Sequence, residues 1–400
     1  VPRHEKACLP AEVSCSFILA MRIHILGIRG LPSTYSGYET FVGELAPRLA
    51  QRGHEITVYC RRSLFPKQPE SWNGVQLRYS ASLEHKVAST MSHSLFAMIA
   101  AVRAKPDVIL SVNAATGWFS PIARMRHVPN VINVDGMEWL RPKWSGLGKF
   151  MLINGARMAC RFGSVVVTDA EEMHRLYASQ FGIESIDIAY GANMDDSSDP
   201  DIVRAYGLEP GKYFLVASRL VPDNNADLIL EAFMKTRTDM KLAVAGGANY
   251  KGNRVERQFF EKLKAISNDR VKFLGHVDSN EAIKELHCNC FAYVHGHQFG
   301  GTNPSLLKAL GYRNMILALD TPFNREALKQ GVYGMLYAKQ TEDLHSKMQD
   351  ICDHPEKAES FREKARDRIR ERYTWDHITD QYEALFDAVR RGVPRKDIHV

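Results

Sequence analysis

The stretch His295–Gly311 combines residue types that could bind an anion. It follows a short apolar run that predicts a buried strand, and Gly300 and Gly301 would let the backbone approach a ligand closely. Asn303 is a strong N-cap residue, and Pro304 suits the first helical position. A glycine loop that leads into a capped helix offers backbone N–H groups and the positive end of the helix dipole. The pattern predicts a site for a diphosphate, with an ordinary capped helix as the alternative.

Apolar, β-branched runs alternate with amphipathic helical patterns along the whole chain. This alternation predicts parallel sheets that helices cover on both faces. The predicted strands of the first half are Arg22–Ile28, Glu55–Cys60, Val75–Tyr79, Asp107–Val112, Asn130–Val134, Ser164–Thr168 and Ile186–Ala189. Those of the second half are Tyr213–Ala217, Lys241–Ala245, Val271–Leu274, Phe291–His295 and Met315–Leu319. We therefore predict an α/β protein with two Rossmann-like domains whose sheets face a central cleft.

Length and composition limit the class of protein. A chain of 400 residues suits two or three domains, and no apolar run approaches the roughly 20 residues that span a bilayer. Its 7 cysteines are scattered, without the spacing of a disulfide framework or a zinc site, which fits a reducing cytoplasm. Residues 1–20 carry no clear periodicity, so we interpret them as an extra segment outside the fold.

Charge is unevenly distributed between the halves. Residues 21–190 contain 19 Lys and Arg against 13 Asp and Glu, whereas residues 191–400 contain 31 of each. Basic residues and two tryptophans cluster in one region: Arg124, Arg126, Trp139, Arg141, Lys143, Trp144 and Lys149. Such a surface suits an anionic membrane or a phosphorylated lipid, and a solvated basic face is the equal alternative. No nucleic-acid-binding motif is present.

Six segments occur in an order that is typical of one enzyme family. They are Gly27–Phe41, Asn133–Trp139 with Lys143-Trp144, Ser218–Asn225, Gly296–Gly311, Pro322–Glu326 and Tyr373-Thr374-Trp375. With these segments the chain resembles, from Met21 to about Arg391, a retaining glycosyltransferase of the GT-B fold, family 4. It is most similar to a bacterial rhamnosyltransferase-like branch whose N-terminal half was once catalogued as a domain of unknown function.

The resemblance implies a division of the chain into domains. Residues 21–192 would form an acceptor-side Rossmann-like domain, and residues 193–373 a domain that binds the nucleotide sugar. Residues 374–400 would form a C-terminal helix that crosses back to the first domain.

The resemblance also implies site residues in the first half. The loop after the first strand would border the diphosphate and the acceptor, although its glycine spacing is not the dinucleotide fingerprint. Asp135 would bind a hydroxyl of the transferred sugar or stabilise positive charge at its anomeric carbon, with a helix-capping role as the equal alternative. The remaining candidates of this half are Gly30, Tyr35, Gly37, Glu39, Glu138 and Trp139.

In the second half, Arg219 would clasp the diphosphate oxygens and offset the charge of the leaving group. Asn224 stands where most relatives have Lys. Lys308 stands where the branch usually keeps an acid that accepts hydrogen bonds from the ribose, which a Lys cannot do. The remaining candidates are Gly246, Gly247, His297, Gly300, Gly301, Thr302, Asn303, Ser305, Leu306 and Glu326.

The activity implied is metal-independent transfer of a sugar, with rhamnose expected, from a dTDP-, UDP- or GDP-linked donor. The acceptor would be a lipid-linked glycan in cell-surface polysaccharide synthesis, and the enzyme would be a cytoplasmic protein peripherally associated with the inner membrane. No cofactor, metal or nucleic acid is expected. Two alternatives stay open: a catalytically degenerate GT-B protein that acts as a binding partner, and another GT-B sugar-nucleotide enzyme such as an epimerase.

Overall fold

The computed structural model describes residues 19–32, 37–84, 88–134, 136, 138–140, 144, 146–247 and 254–400. Two candidate site residues, Tyr35 and Asp135, lie outside this part of the chain, as does nearly all of the segment 1–20.

The first sheet has eight strands in the order β3-β4-β2-β1-β5-β6-β7-β8. All neighbours pair in parallel except β3 and β4, which form an antiparallel pair at one edge. The strands are β1 (Arg22–Leu26), β2 (Glu55–Arg61), β3 (Ser71–Trp72), β4 (Val75–Ser80), β5 (Val108–Val112), β6 (Asn130–Asn133), β7 (Val165–Thr168) and β8 (Ile186–Asp187).

The second sheet has six parallel strands in the order β11-β10-β9-β12-β13-β14. These strands are β9 (Tyr213–Ala217), β10 (Lys241–Ala245), β11 (Val271–Gly275), β12 (Ala292–His295), β13 (Ile316–Leu319) and β14 (Met335–Tyr337). The prediction of two α/β domains with parallel sheets is confirmed. The prediction did not include β3 and β14, which are short strands at sheet edges.

Thirteen α-helices lie in the part of the chain that the structure describes. They are α1 (Gly37–Gln51), α2 (Ala88–Ala104), α3 (Ser120–Met125), α4 (Gly146–Phe162), α5 (Glu171–Phe181), α6 (Ala226–Lys235), α7 (Arg254–Ile266), α8 (Asn280–Cys288), α9 (Pro304–Gly311), α10 (Pro322–Ala327), α11 (Thr341–Asp353), α12 (Pro355–Arg368) and α13 (Trp375–Arg390). No helix among the described residues is long and apolar enough to cross a bilayer.

Central strands are buried along their whole length because helices cover both sheet faces. All five residues of β5 and all four residues of β12 are buried, which explains why they appear in the sequence as continuous rather than alternating apolar runs. Because the side chains of such strands are mostly apolar, the polar side chains that could bind a ligand lie mainly where the strands end.

The last helix, α13, packs on the first domain. The Tyr382 hydroxyl accepts a hydrogen bond of 2.8 Å from Nδ2 of Asn133, and its ring lies 5.4 Å from that of Phe41. The next residue of the helix, Glu383, binds both Arg52 (2.6 Å) and His54 (2.9 Å) of the first domain. The chain thus passes from the second sheet back to the first and ties the two domains together.

Candidate functional site

The carboxyl end of β9 leads into a tight loop that carries Arg219. The guanidinium is exposed, while the backbone below it is fixed: Nδ2 of Asn224 donates to the Arg219 carbonyl over 2.8 Å. Nδ2 of Asn225 donates to the Gly296 carbonyl, also over 2.8 Å. Asn224 is 4% exposed, so in place of a second cation the chain has a buried amide that braces the Arg219 loop, while Asn225 ties this loop to the residue after β12.

Gly246 follows β10 directly beside the Arg219 loop. A Cβ atom there would lie 1.8 Å from the Ser218 carbonyl oxygen, so only glycine fits this close approach of two strand ends. At Gly247 an added Cβ would lie 3.3 Å from Cβ of His276. The two glycines therefore let the end of β10 pack closely against the Arg219 loop and His276.

Two histidines stack at the end of β12. The rings of His295 and His297 are 4.4 Å apart and nearly parallel, and the Tyr293 hydroxyl is 3.1 Å from Nδ1 of His295. Burial lowers the pKa of His295 well below its usual value, and the neighbouring His297 adds to this effect. His295 is therefore neutral at pH 7 and supports the half-buried ring of His297.

The predicted start of α9 is confirmed. Asn303 is the N-cap, Pro304 is in the first turn, and Oδ1 of Asn303 accepts from the Ser305 N–H over 3.0 Å. The Ser305 hydroxyl also donates to this oxygen over 2.7 Å. Leu306 is fully buried, so its side chain belongs to the core and only its backbone is close to the helix terminus.

The glycine loop before α9 touches the first domain. A Cβ on Gly136 would lie 2.7 Å from Cα of Gly300, and one on Gly301 would lie 1.9 Å from Oδ1 of Asp169. The Thr302 hydroxyl donates to the Asp169 carbonyl, and both residues are buried. The two domains therefore contact each other where Gly136 and Asp169 meet Gly300, Gly301 and Thr302. We call this contact the neck, and three of its five residues are glycines.

The loop after β1 reaches the same cleft from the first domain. Oε1 of Glu39, in the first turn of α1, accepts from the Arg29 N–H over 2.9 Å, and Glu39 is 4% exposed. Gly30 packs against the ring of Phe65, and a Cβ on Gly37 would lie 3.5 Å from Cγ of Pro304. The N-termini of α1 and α9 thus face each other across the cleft.

Two candidates after β6 have different environments. Nε1 of Trp144 donates to Oε2 of Glu138 over 3.3 Å, which holds this carboxylate near the cleft. Trp139 is 3% exposed and packs edge-on against Tyr177 and Phe181. Its indole is part of the first domain's core, so any contact with an acceptor would have to come from its backbone.

Lys308 lines a cavity of about 30 Å³ between α1, α9 and the chain crossing near Ala192. Burial lowers the pKa of its ammonium, and the Glu44 carboxylate opposes this effect. The cavity has room for a water molecule rather than a sugar ring. In this arrangement Lys308 faces the first domain's Glu44.

Glu326 connects the two domains. Its carboxylate accepts from the backbone N–H groups of Glu171 (3.0 Å) and Glu172 (3.3 Å), at the start of α5, and lies 3.2 Å from Arg372. A carboxylate at a helix N-terminus is favoured by the helix dipole. The same Arg372 pairs with Asp187, whose pKa is raised by burial to about 6.

Among the described residues, no group of three or more His, Cys, Asp or Glu could hold a metal ion. The candidates that lie in loops after strand ends or in the first turns of α1 and α9 are Gly30, Gly37, Glu39, Glu138, Arg219, Gly246, Gly247, His297, Gly300, Gly301, Thr302, Asn303 and Ser305.

Comparison with known protein families assigns both halves of the chain. Residues 36–193 match the model described as "Glycosyl transferase 4-like domain", and residues 199–368 match "Glycosyl transferases group 1". The protein is a glycosyltransferase with the GT-B fold. No protein of curated function matches the sequence.

Solved structures with the same fold include several glycosyltransferases. Sucrose-phosphate synthase of Thermosynechococcus elongatus has a TM-score of 0.78 at 15% identity, over 93% of this chain and 99% of its own. HepE of Anabaena, in complex with UDP and glucose, has a TM-score of 0.73 at 16% identity, over 92% and 100%. The catalytic domain of Arabidopsis thaliana starch synthase IV, bound to ADP and acarbose, has a TM-score of 0.70 at 13% identity, over 93% and 100%.

Sequence reasoning missed two residues of this glycosyltransferase that shape the cleft. Asp169 directly follows β7 and meets Gly301 and Thr302, which are more than a hundred positions away. The available signal was a polar residue directly after a buried strand, because ligands of parallel α/β sheets bind at the carboxyl ends of the strands. Arg372 gave no comparable signal, because its partners Asp187 and Glu326 come from separate parts of the chain.

Proposed function

We propose that this enzyme is a retaining, metal-independent transferase that moves a sugar, rhamnose, from a nucleoside diphosphate to a lipid-linked glycan of a cell-surface polysaccharide. One observation carries the donor assignment: the loop that carries Arg219 is hydrogen-bonded, from Asn225 to the Gly296 carbonyl, to the segment that leads into the glycine loop and the capped N-terminus of α9. A helix N-terminus and a guanidinium both favour a diphosphate. UDP and ADP bound to HepE and starch synthase IV, which share the fold, support this type of donor.

In the proposed reaction, the bond from the anomeric carbon to the diphosphate oxygen breaks while the acceptor oxygen bonds to that carbon on the same face. The proton of the acceptor hydroxyl passes to the leaving diphosphate. Arg219 and the α9 terminus stabilise the negative charge that develops there. The neck would hold donor and acceptor in position and exclude water, so positioning is the main task of the protein.

An exposed patch on the first domain supports the membrane part of the proposal. Met125, Leu147 and Phe150 are 71%, 72% and 57% exposed, and α3, which ends at Met125, packs against α4, which carries the other two. Exposed basic side chains, Arg124, Arg126 and Lys149, flank them. Apolar side chains ringed by cations suit the interface of an anionic bilayer.

Vesicle flotation tests the membrane assignment. The wild-type protein should float with anionic phosphatidylglycerol vesicles and not with phosphatidylcholine vesicles. Replacing Leu147 and Phe150 by Ser should abolish flotation, whereas a matched double change of the exposed Leu64 and Val255, which lie on other elements, should leave it intact. Equal flotation of both variants would contradict the assignment.

Saturation-transfer NMR against a panel of dTDP-, UDP- and GDP-sugars tests the donor proposal and identifies the base and sugar together. We expect one base to bind, with dTDP-rhamnose giving the strongest signal at both nucleotide and sugar protons. Binding of rhamnose donors no better than of other sugars would overturn the sugar assignment. Absence of binding for the whole panel would overturn the proposed function.

A further inference from the structure

Arg61, the last residue of β2, is a buried cation without a counter-ion among the residues that the structure describes. It is 8% exposed, its Nε atom has no hydrogen-bond partner, and it forms no ion pair with any described residue. Burial lowers the pKa of this guanidinium, and the nearby Arg29 adds to the effect. Buried charges in proteins are normally paired, because removing an ion from water is costly. An unpaired guanidinium here therefore requires an explanation.

The two carboxylates near Arg61 are engaged elsewhere. Glu84 accepts a hydrogen bond of 2.7 Å from the Ser63 hydroxyl and another from Ser82. Glu39 accepts from the Arg29 N–H, as described above. Both carboxylates favour the charged guanidinium from a distance, and neither lies within 4 Å of it as an ion pair.

The guanidinium points at the start of α2, a 17-residue helix without an acidic residue in its first turn. Its NH2 group is 3.4 Å from Oγ1 of Thr90, in that first turn. One turn further, His93 and Ser94 are each 1% exposed; the His93 ring lies near the backbone of Ile28 and Tyr59, and the Ser94 hydroxyl has no hydrogen-bond partner among the described residues. Burial lowers the pKa of His93 to about 4, so the ring is neutral at pH 7.

We infer that Arg61 and the first turn of α2, with Thr90, form a binding site for a phosphate group. An anion there would supply a counter-ion, accept a hydrogen bond from the NH2 group of the guanidinium, and lie at the positive end of the helix dipole. Phosphate fits because its several oxygens accept from guanidinium, hydroxyl and backbone N–H groups at once.

The place of this site in the sheet identifies the phosphate as the acceptor's. In the sheet order β2 lies three strands from β6, whose end leads to the neck. Three strand spacings of about 4.8 Å amount to about 14 Å along the sheet edge. A diphosphate clasped by Arg219 belongs to the other domain, so the phosphate at Arg61 is a second one. This inference rests on the proposed function and deepens it: the acceptor is a short glycan on a prenyl phosphate or diphosphate.

Calorimetry with farnesyl diphosphate, used below its micelle concentration, tests the site in the full-length protein. Farnesol, which lacks the phosphates, is the neutral control ligand and should not bind. Arg61→Gln should weaken binding of farnesyl diphosphate by at least about tenfold, the loss typical of hydrogen bonds to a charged group. Arg62→Gln, at the exposed neighbouring arginine, is the matched control and should bind within about twofold of wild type.

Arg61→Lys covers the case in which Arg61→Gln fails to fold, and it should bind more weakly than wild type because an ammonium lacks the guanidinium fork. Unchanged binding by both Arg61 variants would overturn the inference. So would displacement of farnesyl diphosphate by the nucleoside diphosphate of the donor, which would assign the ligand to the donor site. If no nucleotide sugar binds while Arg61-dependent prenyl diphosphate binding persists, the proposed transferase function fails and the phosphate site stands.

Discussion

The contact at the neck yields a sharp prediction for Gly301→Ala. The added methyl group would lie 1.9 Å from Oδ1 and 2.3 Å from Oδ2 of the buried Asp169, whereas Cβ contacts shorter than 3.0 Å essentially never occur. The shortfall, 3.0 minus 1.9 Å, means that either the buried Asp169 carboxylate or the two domains must move apart from this contact by about 1 Å. Because the clash lies between the domains, opening the cleft relieves it without unfolding either one.

A displacement of about 1 Å between reacting groups can lower turnover by about 100-fold, or about 2.7 kcal/mol in the activation barrier. We therefore expect Gly301→Ala to lose about two orders of magnitude in initial transfer rate. Its affinity for the nucleoside diphosphate should fall by much less than its turnover, because the added methyl group meets Asp169 of the first domain and leaves Arg219 and the capped terminus of α9 in place.

Initial-rate assays and calorimetry on the same preparation separate these two quantities. Gly43→Ala is the matched control: it lies inside α1, and its Cβ would meet Leu31 at an ordinary 3.5 Å. This control should keep full turnover and gain up to about 1 kcal/mol in stability from helix propensity. Wild-type turnover in Gly301→Ala would refute the view that the closed neck is the reactive arrangement.

Three further predictions concern single side chains. Arg219→Ala should weaken nucleoside diphosphate binding by about 1.5–3 kcal/mol and nucleoside binding far less, and equal losses in calorimetry would contradict its assigned role. Lys308→Glu, which brings a second carboxylate to the cavity beside Glu44, should lower the free energy of unfolding by about 3 kcal/mol, whereas Lys308→Met should change it by less than about 1 kcal/mol. Burial raises the pKa of Asp187 from 3.8 to about 6 in the folded protein. Protonated Asp187 therefore stabilises the fold below pH 4, and this contribution is lost as the pH rises through 6. In Asp187→Asn the free energy of unfolding, measured by denaturant titration, should therefore change by up to about 3 kcal/mol less between pH 4 and 6 than in the wild type. The same pH dependence in both proteins would contradict the raised pKa.

The sequence predicted strand positions well because local patterns carry that information. The bounds of β9 and β10 agree with the prediction to the residue, and most other strands differ by one or two residues at their ends. The two short strands β3 and β14 were missed because two or three residues are too few to show a periodic pattern. The cap at Asn303 was predictable since it depends only on neighbouring residues.

Contacts between the domains were beyond sequence reasoning. Glu326 matches a family segment, yet its carboxylate caps α5 of the other domain, a contact over 155 positions. Trp139 also belongs to a family segment and was a candidate site residue, yet its ring lies in the core because Tyr177 and Phe181 pack against it. Lys308 stands where the family branch keeps a ribose-binding acid, yet it lines a cavity whose walls depend on how α1 packs against α9.

The most direct test of the central claim is the anomeric configuration of the product, read by proton NMR during transfer from the donor that the nucleotide-sugar panel identifies. With a prenyl-diphosphate-linked acceptor, we predict release of one nucleoside diphosphate per sugar transferred. The new glycosidic bond should have the same anomeric configuration as the donor, and Arg219→Ala should suppress the reaction. A product of inverted configuration, or no transfer from a donor that binds, would contradict the proposed mechanism.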